Sequence, residues 1–180
     1  VLALLLAVMT WHRNEVWDTK LSLWSDAAAR GPSVDVSRMD QLAPSARAFW
    51  GRVQLNLGEA HFERSEYDEA RQAYEEAIAL RPDSDVAWTN LAVLRERRGD
   101  RSGAEDAYRQ AIALQPGSHE ARSRLGRILL DRGRSAEAIA MLRQSLSIKP
   151  SPIALVNLGV ARRAVGDLLE AERLMKAALR

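Results

Sequence analysis

Small and apolar residues recur along most of this chain with a period of 34. Leu57-Gly58, Ala70, Tyr74, Ala77 and Pro82 return as Leu91-Ala92, Ala104, Tyr108, Ala111 and Pro116. Trp88 joins at the repeat's fourth place, where the first copy has Gln54. A period of this length predicts a solenoid in which each copy buries its apolar face against its neighbours. Four copies follow one another, at 51–84, 85–118, 119–151 and 152–180. Their small residues fall where paired helices must approach closely: Gly58, Ala92, Gly126 and Gly159 on the first helices, Ala70, Ala104, Ala138 and Ala171 on the second. Ala77, Ala111, Ser145 and Ala178 are expected to do the same between successive copies. Leu57, Leu91, Leu125 and Leu158, with Tyr74, Tyr108, Leu142 and Met175, fill the remaining core. Pro82, Pro116 and Pro150 stop the second helices, because proline lacks the backbone donor and clashes with the preceding turn. Ser151 and Pro152 read as cap and first helical residue of the last pair.

The first fifty residues follow a different pattern. Val1 to Met9 (VLALLLAVM) is continuously apolar but too short to span a bilayer, which needs about 20 residues. Because the run starts abruptly, residues 1–10 read as the end of a transmembrane segment, with Trp11, Arg13 and Trp17 at the membrane interface. A signal-peptide remnant and an ordinary buried helix are the competing readings. Residues 11–32 read as a juxtamembrane amphipathic helix, since Trp17, Leu21, Trp24 and Ala28 share one face. Trp24, Ala27 and Pro32 also keep the separations of a degenerate half-repeat, which Gly31-Pro32 would end. Residues 33–50 are a polar linker and the start of the first repeat helix, with Ser45 as its expected cap. Trp11, Trp17, Trp24 and Trp50 all lie in this region and suit a membrane boundary or a protein interface. A cover over the open end of the solenoid is the plainer alternative.

The recurring residues resemble the tetratricopeptide repeat (TPR), whose pattern is W-x2-L-G-x2-Y, then A-x3-F, A and P. The resemblance covers roughly residues 51–180. It implies an all-α, right-handed superhelix of four helix-turn-helix repeats, preceded by the Trp-rich helix and the membrane segment. It also implies that places 2, 5, 6, 9, 12 and 13 of each first helix face a concave groove that binds protein partners. Carried over place by place from repeats that clamp a carboxylate tail, the groove offers Arg52, Asn56, Asn90 and Arg124, with Asn157 at the sixth place of the last copy. Asn can bond an extended peptide through donor and acceptor alike, and Arg can hold a carboxylate bidentately. Glu120, standing where such clamps have Lys, departs from the pattern, so general peptide or helix binding is preferred to clamping. A second, narrower resemblance involves Arg13-Asn14, Trp17 and Leu23-Trp24. It is to the junction in polytopic membrane proteins related to O-mannosyltransferases, whose TPR tail lies on the extracytoplasmic side. That would make the chain the non-catalytic tail of a glycosyltransferase-like enzyme.

Composition narrows the chemistry. There is no cysteine, which excludes disulfides and thiolate sites. His12, His61 and His119 are scattered, with His61 at a core place, and no metal-binding motif occurs. The expectation is therefore no metal, no cofactor and no catalysis by this chain. Net charge by segment is 0 for 1–50, −4 for 51–84, 0 for 85–118, +4 for 119–151 and +2 for 152–180. A polarised rod of this kind can steer a partner or stack head to tail, but drift in solvated surface charge is the preferred reading. Arginines alternate with acids and the groove lacks stacking aromatics, which argues against nucleic acid. Leu168, Leu174, Met175 and Leu179 offer an apolar face at the carboxyl end for a continuation or a partner to cover. The function expected is a membrane-tethered scaffold that docks a protein or peptide, with its repeats on the extracytoplasmic side.

Overall fold

The computed structural model describes residues 20–30 and 42–179, and among these every regular element is a helix. In chain order they are α1 (Lys20–Ala29), α2 (Pro44–Glu63), α3 (Tyr67–Leu80), α4 (Asp85–Arg97), α5 (Arg101–Leu114), α6 (His119–Asp131), α7 (Ser135–Ile148), α8 (Pro152–Ala164) and α9 (Leu168–Ala178). The chain divides into two compact units, Val1–Asn90 and Leu91–Arg180, the division falling within α4. In the first unit α1 packs on α2 and α2 on α3. In the second, consecutive helices from α5 to α9 pack on one another, and α6 also meets α8.

Local chemistry sets the helix limits. Ser84, Ser118 and Ser151 each accept a hydrogen bond from the backbone N–H three residues on, capping α4, α6 and α8. At the equivalent place before the first copy stands Trp50, which caps nothing, and α2 continues back to Pro44. This corrects the expectation for Ser45: the N-cap is Ala43, which makes no side-chain cap bond, Pro44 supplies the first turn, and Ser45 lies inside the helix. Helices α3, α5 and α7 stop two residues before Pro82, Pro116 and Pro150. The intervening Arg81, Gln115 and Lys149 have φ of −138°, −124° and −147°. Proline crowds the residue before it out of the helical region, so the helix ends one step earlier than the ring itself.

The small-residue register packs as the period predicts. A Cβ on Gly58 would stand 2.5 Å from the Tyr74 ring, and one on Gly126 would stand 2.6 Å from Leu142 Cγ. A Cβ on Gly159 would meet the Ala171 carbonyl and Met175 Cγ, both at 3.2 Å. Tyr74, Tyr108 and Leu142 are buried, as are Leu91, Leu125 and Leu158, whereas Leu57 and Met175 are half-buried. Ser145 stands where other copies have alanine and satisfies its buried hydroxyl by donating to the His119 carbonyl at 2.7 Å. At the carboxyl end the exposed apolar residues are Leu168, Leu169 and Leu179. Leu174 and Met175, expected among them, are instead half-buried, Met175 being drawn in against Gly159.

Among the described residues no helix is long and apolar enough to cross a membrane. The membrane readings of residues 1–10, Trp11, Arg13 and Trp17 fall on residues 1–19, outside those described.

Candidate functional site

In the second unit, α6 and α8 form the two sides of a recess of 330 Å³. Its α6 wall carries Glu120, Ser123, Arg124 and Arg127; its α8 wall carries Ile153 and Asn157. These are second, fifth, sixth and ninth places of the third copy, and second and sixth places of the fourth. The structure thus brings the expected Arg124 and Asn157 together. Ile153 is 71 % exposed, a large aliphatic side chain open to solvent beside hydrogen-bonding groups.

The charge in this recess is already partly matched. Arg124 Nε lies 3.1 Å from Glu120 Oε1, one helical turn away, and its Nη1 lies 3.7 Å from Glu96. Arg127 also pairs with Glu96, and with Asp131 at 3.5 Å. Glu96 lies in a neighbouring recess of 440 Å³ that Arg124 and Arg127 also line, and it accepts from the Tyr108 hydroxyl at 2.9 Å. Burial pushes the Tyr108 hydroxyl up to about 12, so it stays protonated as a donor. A carboxylate clamp needs a cation free to meet the ligand. Arg124 would have to leave Glu120 and Glu96 to serve as one, which favours a neutral extended segment over a carboxylate tail.

In the first unit, Asn56 is half-buried on α2, and Asn90 on α4 donates through Nδ2 to Glu59 at 3.0 Å. Glu59 occupies the ninth place of the first copy. It and Glu96 were legible as groove places but not as the acids that would occupy Asn90 and Arg124. Arg52 is exposed and lines a different recess, of 550 Å³, with Arg47 on α2 and Arg81 in the α3–α4 connection. Neither Arg47 nor Arg81 carried a sequence signal, because neither lies on the repeat's inward places.

His61 is half-buried as expected, but it is paired rather than merely packed. Its Nδ1 lies 2.8 Å from Glu66, whose other oxygen accepts from Arg64 at 2.7 Å. Hydrogen bonds from Arg64 and His61 hold the Glu66 carboxyl below its ordinary value. Among the described residues no group of three or more His, Asp or Glu side chains could hold a metal ion.

Comparison with known proteins agrees with this architecture. A model described as "Tetratricopeptide repeat" matches residues 89–152 and 125–180, and one described as "TPR repeat" matches 58–99. No curated protein matches the chain. Among solved structures, the crystal structure of MamA is 24 % identical, with a TM-score of 0.69 over 80 % of this chain and 84 % of that one. PilW, described as a widely conserved type IV pilus biogenesis factor, is 25 % identical, with a TM-score of 0.65 over 72 % of this chain and 60 % of its own. BtubC from P. vanneervenii is 20 % identical, with a TM-score of 0.73 over 88 % of this chain and 70 % of its own.

Proposed function

Because the chain belongs to the tetratricopeptide repeat family, we propose that it is a non-enzymatic scaffold that docks an extended protein segment against its first helices. The observation that carries this reading is the α6–α8 recess, where exposed Ile153 lies beside Asn157 and Arg124 on the repeat's inward places. An aliphatic patch flanked by an amide suits a peptide that inserts one apolar side chain while Asn157 bonds its backbone. Recruitment to a larger assembly fits the company of PilW, described as a biogenesis factor.

In this proposal residues 1–13 tether the scaffold to a membrane, with the repeats on the extracytoplasmic side. The support is the apolar run ending in Trp11 and Arg13. The second reading, the tail of a glycosyltransferase-like membrane enzyme, is favoured by Arg13-Asn14, Trp17 and Leu23-Trp24. Several transmembrane helices encoded upstream of Val1 would favour it, and a single one the tethered scaffold.

The test is co-purification from native membranes of the wild-type chain and of Ile153→Asp combined with Asn157→Ala. Both side chains are solvent-accessible, so the helical spectrum should be unchanged. Proteins that accompany the wild type should be depleted from the variant. An identical set with both baits would remove this recess as the docking site.

A further inference from the structure

The recess formed by Arg47, Arg52 and Arg81 is not among the groove contacts just described, and its chemistry differs from theirs. Three arginines and a single carboxylate, Asp83, line it; Asp83 lies 3.7 Å from Arg81 Nε and is largely exposed. Neither Arg47 nor Arg52 forms an ion pair with a described residue. This contrasts with the first copy as a whole, whose net charge is −4, and with Arg124 and Arg127, each held by carboxylates. The cluster is also built rather than accidental in its placing. The stem of Arg81 lies across α2 at Gly51, where an added Cβ would stand 2.9 Å from Arg81 Cγ. The glycine therefore lets the guanidinium of the α3–α4 connection reach the side of α2 that carries Arg47 and Arg52. The recess sits at the amino-terminal end of α2, where Pro44 lines it and the helix dipole adds to the positive potential. One helical turn from Arg52 stands Phe49, a large aromatic side chain 49 % exposed and edge-on to Trp50.

We infer that this recess binds an acidic, apolar-flanked segment of a protein partner, its carboxylates held by Arg47, Arg52 and Arg81 and its apolar side chain laid against Phe49. The inference rests on the scaffold reading and adds the chemistry of one partner. Guanidinium groups such as those of Arg47 and Arg52, which have no ion pair among the described residues, can meet carboxylates through charge-assisted, often bidentate hydrogen bonds, stronger than those between neutral groups. The neighbouring aromatic ring separates a peptide from a free anion, which would have no use for it.

The test is fluorescence anisotropy of a labelled hexapeptide, EDLEDL, titrated with the 180-residue chain, alongside its neutral counterpart QNLQNL. EDLEDL should bind, and QNLQNL should bind at least about tenfold more weakly. Arg47→Gln and Arg52→Gln, both on an unchanged helical spectrum, should each weaken EDLEDL about fivefold or more. Arg81→Gln serves as a third variant, and Phe49→Ala should weaken both peptides. Arg124→Gln should leave EDLEDL binding unchanged. Failure of EDLEDL to bind, or binding indifferent to Arg47→Gln and Arg52→Gln, overturns the inference. Displacement by inorganic phosphate as effectively as by unlabelled peptide would make this a phosphate site and overturn it too. Loss of binding in Arg124→Gln or Asn157→Ala alone would move the acidic segment to the α6–α8 recess, sinking this inference while the scaffold reading stands.

Discussion

The two compact units are assembled from the same repeat places, yet they treat charge in opposite ways. In the second unit Glu105 is 2 % exposed and is met by Arg109, by Arg132 at 2.6 Å and by Arg134 at 2.5 Å. The residue 34 places earlier is Arg71, on the surface of the first unit, and its partner Glu75 is nearly half-exposed. The same place thus carries a buried ionic cluster in one unit and a solvated pair in the other. Burying the carboxylate costs desolvation, which several guanidinium groups together offset; the solvated pair costs and gains little. Repeat register fixes where helices meet, and leaves each copy free to choose what its outer places do.

Glu105→Gln should widen this contrast most. Removing the charge leaves three arginines crowded round a neutral amide, and breaking a buried ion pair costs about 3 kcal/mol. The half-exposed arginines keep access to water, so the expected loss is nearer 2 kcal/mol, read by denaturant unfolding. Hydrogen exchange should speed in α5 and α6 and stay unchanged in α3; uniform exchange would break the assignment. Acid provides a second handle. Burial works to raise the Glu105 pKa, but hydrogen bonds from Arg134 and Arg109 and their charges outweigh it and hold the carboxyl below 4.5. A depressed folded-state value means the stabilisation is complete above the unfolded value and is lost as pH falls through the folded one. The wild type should therefore lose, below about pH 4.5, a contribution that Glu105→Gln already lacks.

The shared register is the next place to probe. Gly58→Ala puts a methyl group 2.5 Å from the rigid ring of Tyr74, and Gly126→Ala puts one 2.6 Å from a branched aliphatic chain. Overpacking of this kind costs about 1–3 kcal/mol. Gly58→Ala should sit at the upper end, because a ring locked between helices cannot turn aside as Leu142 can. Thermal melts in which both variants match the wild type would show that the helices do not meet at these glycines.

How far this was readable from the residues depends on what each place does. Gly58, Ala104 and Gly126 recur because a close helix approach admits nothing larger, so spacing alone located the hairpins and most of their core. The same spacing named Arg124 and Asn157, since inward places repeat too. It could not reveal that Glu96 of the preceding copy also pairs with Arg124, because that depends on side-chain reach between copies. The Arg47–Arg52–Arg81 recess was hidden for a related reason. Arg47 precedes the first copy, Arg81 lies in a connection, and only folding at Gly51 brings them to one side of α2. The fourth place was likewise opaque: Gln54 donates to Glu76 at 2.6 Å, and Arg122 bonds Gln144 at 3.3 Å. Both are pairs 22 residues apart in which polar side chains stand in for the aromatic.

A smaller effect concerns the turn between the two helices of each copy. Gly99, Gly133 and Gly166 occupy it with φ of 80°, 75° and 85°, and the first copy has Ser65 there, at φ 63°. A serine in the left-handed region is strained where glycine is not. Ser65→Gly should therefore stabilise the first unit, by up to about 1 kcal/mol, since glycine's looser unfolded chain offsets part of the relief. A lowered melting temperature would show that the Ser65 side chain contributes more than its backbone costs.

The smallest change expected is Arg71→Ala. Its guanidinium pairs with Glu75 at 3.0 Å one turn along α3, both side chains nearly half-exposed, and such a pair adds no more than about 0.5 kcal/mol. Solvent and salt already screen it, so raising the salt concentration should erase whatever difference appears. Set beside Glu105→Gln, whose loss salt should change only slightly because the carboxylate it removes is shielded from ions in the wild type, Arg71→Ala separates burial from charge as the cause of the contrast. If both variants lost stability equally and responded equally to salt, the difference between the two units would be one of sequence alone, with no consequence for how each is held together.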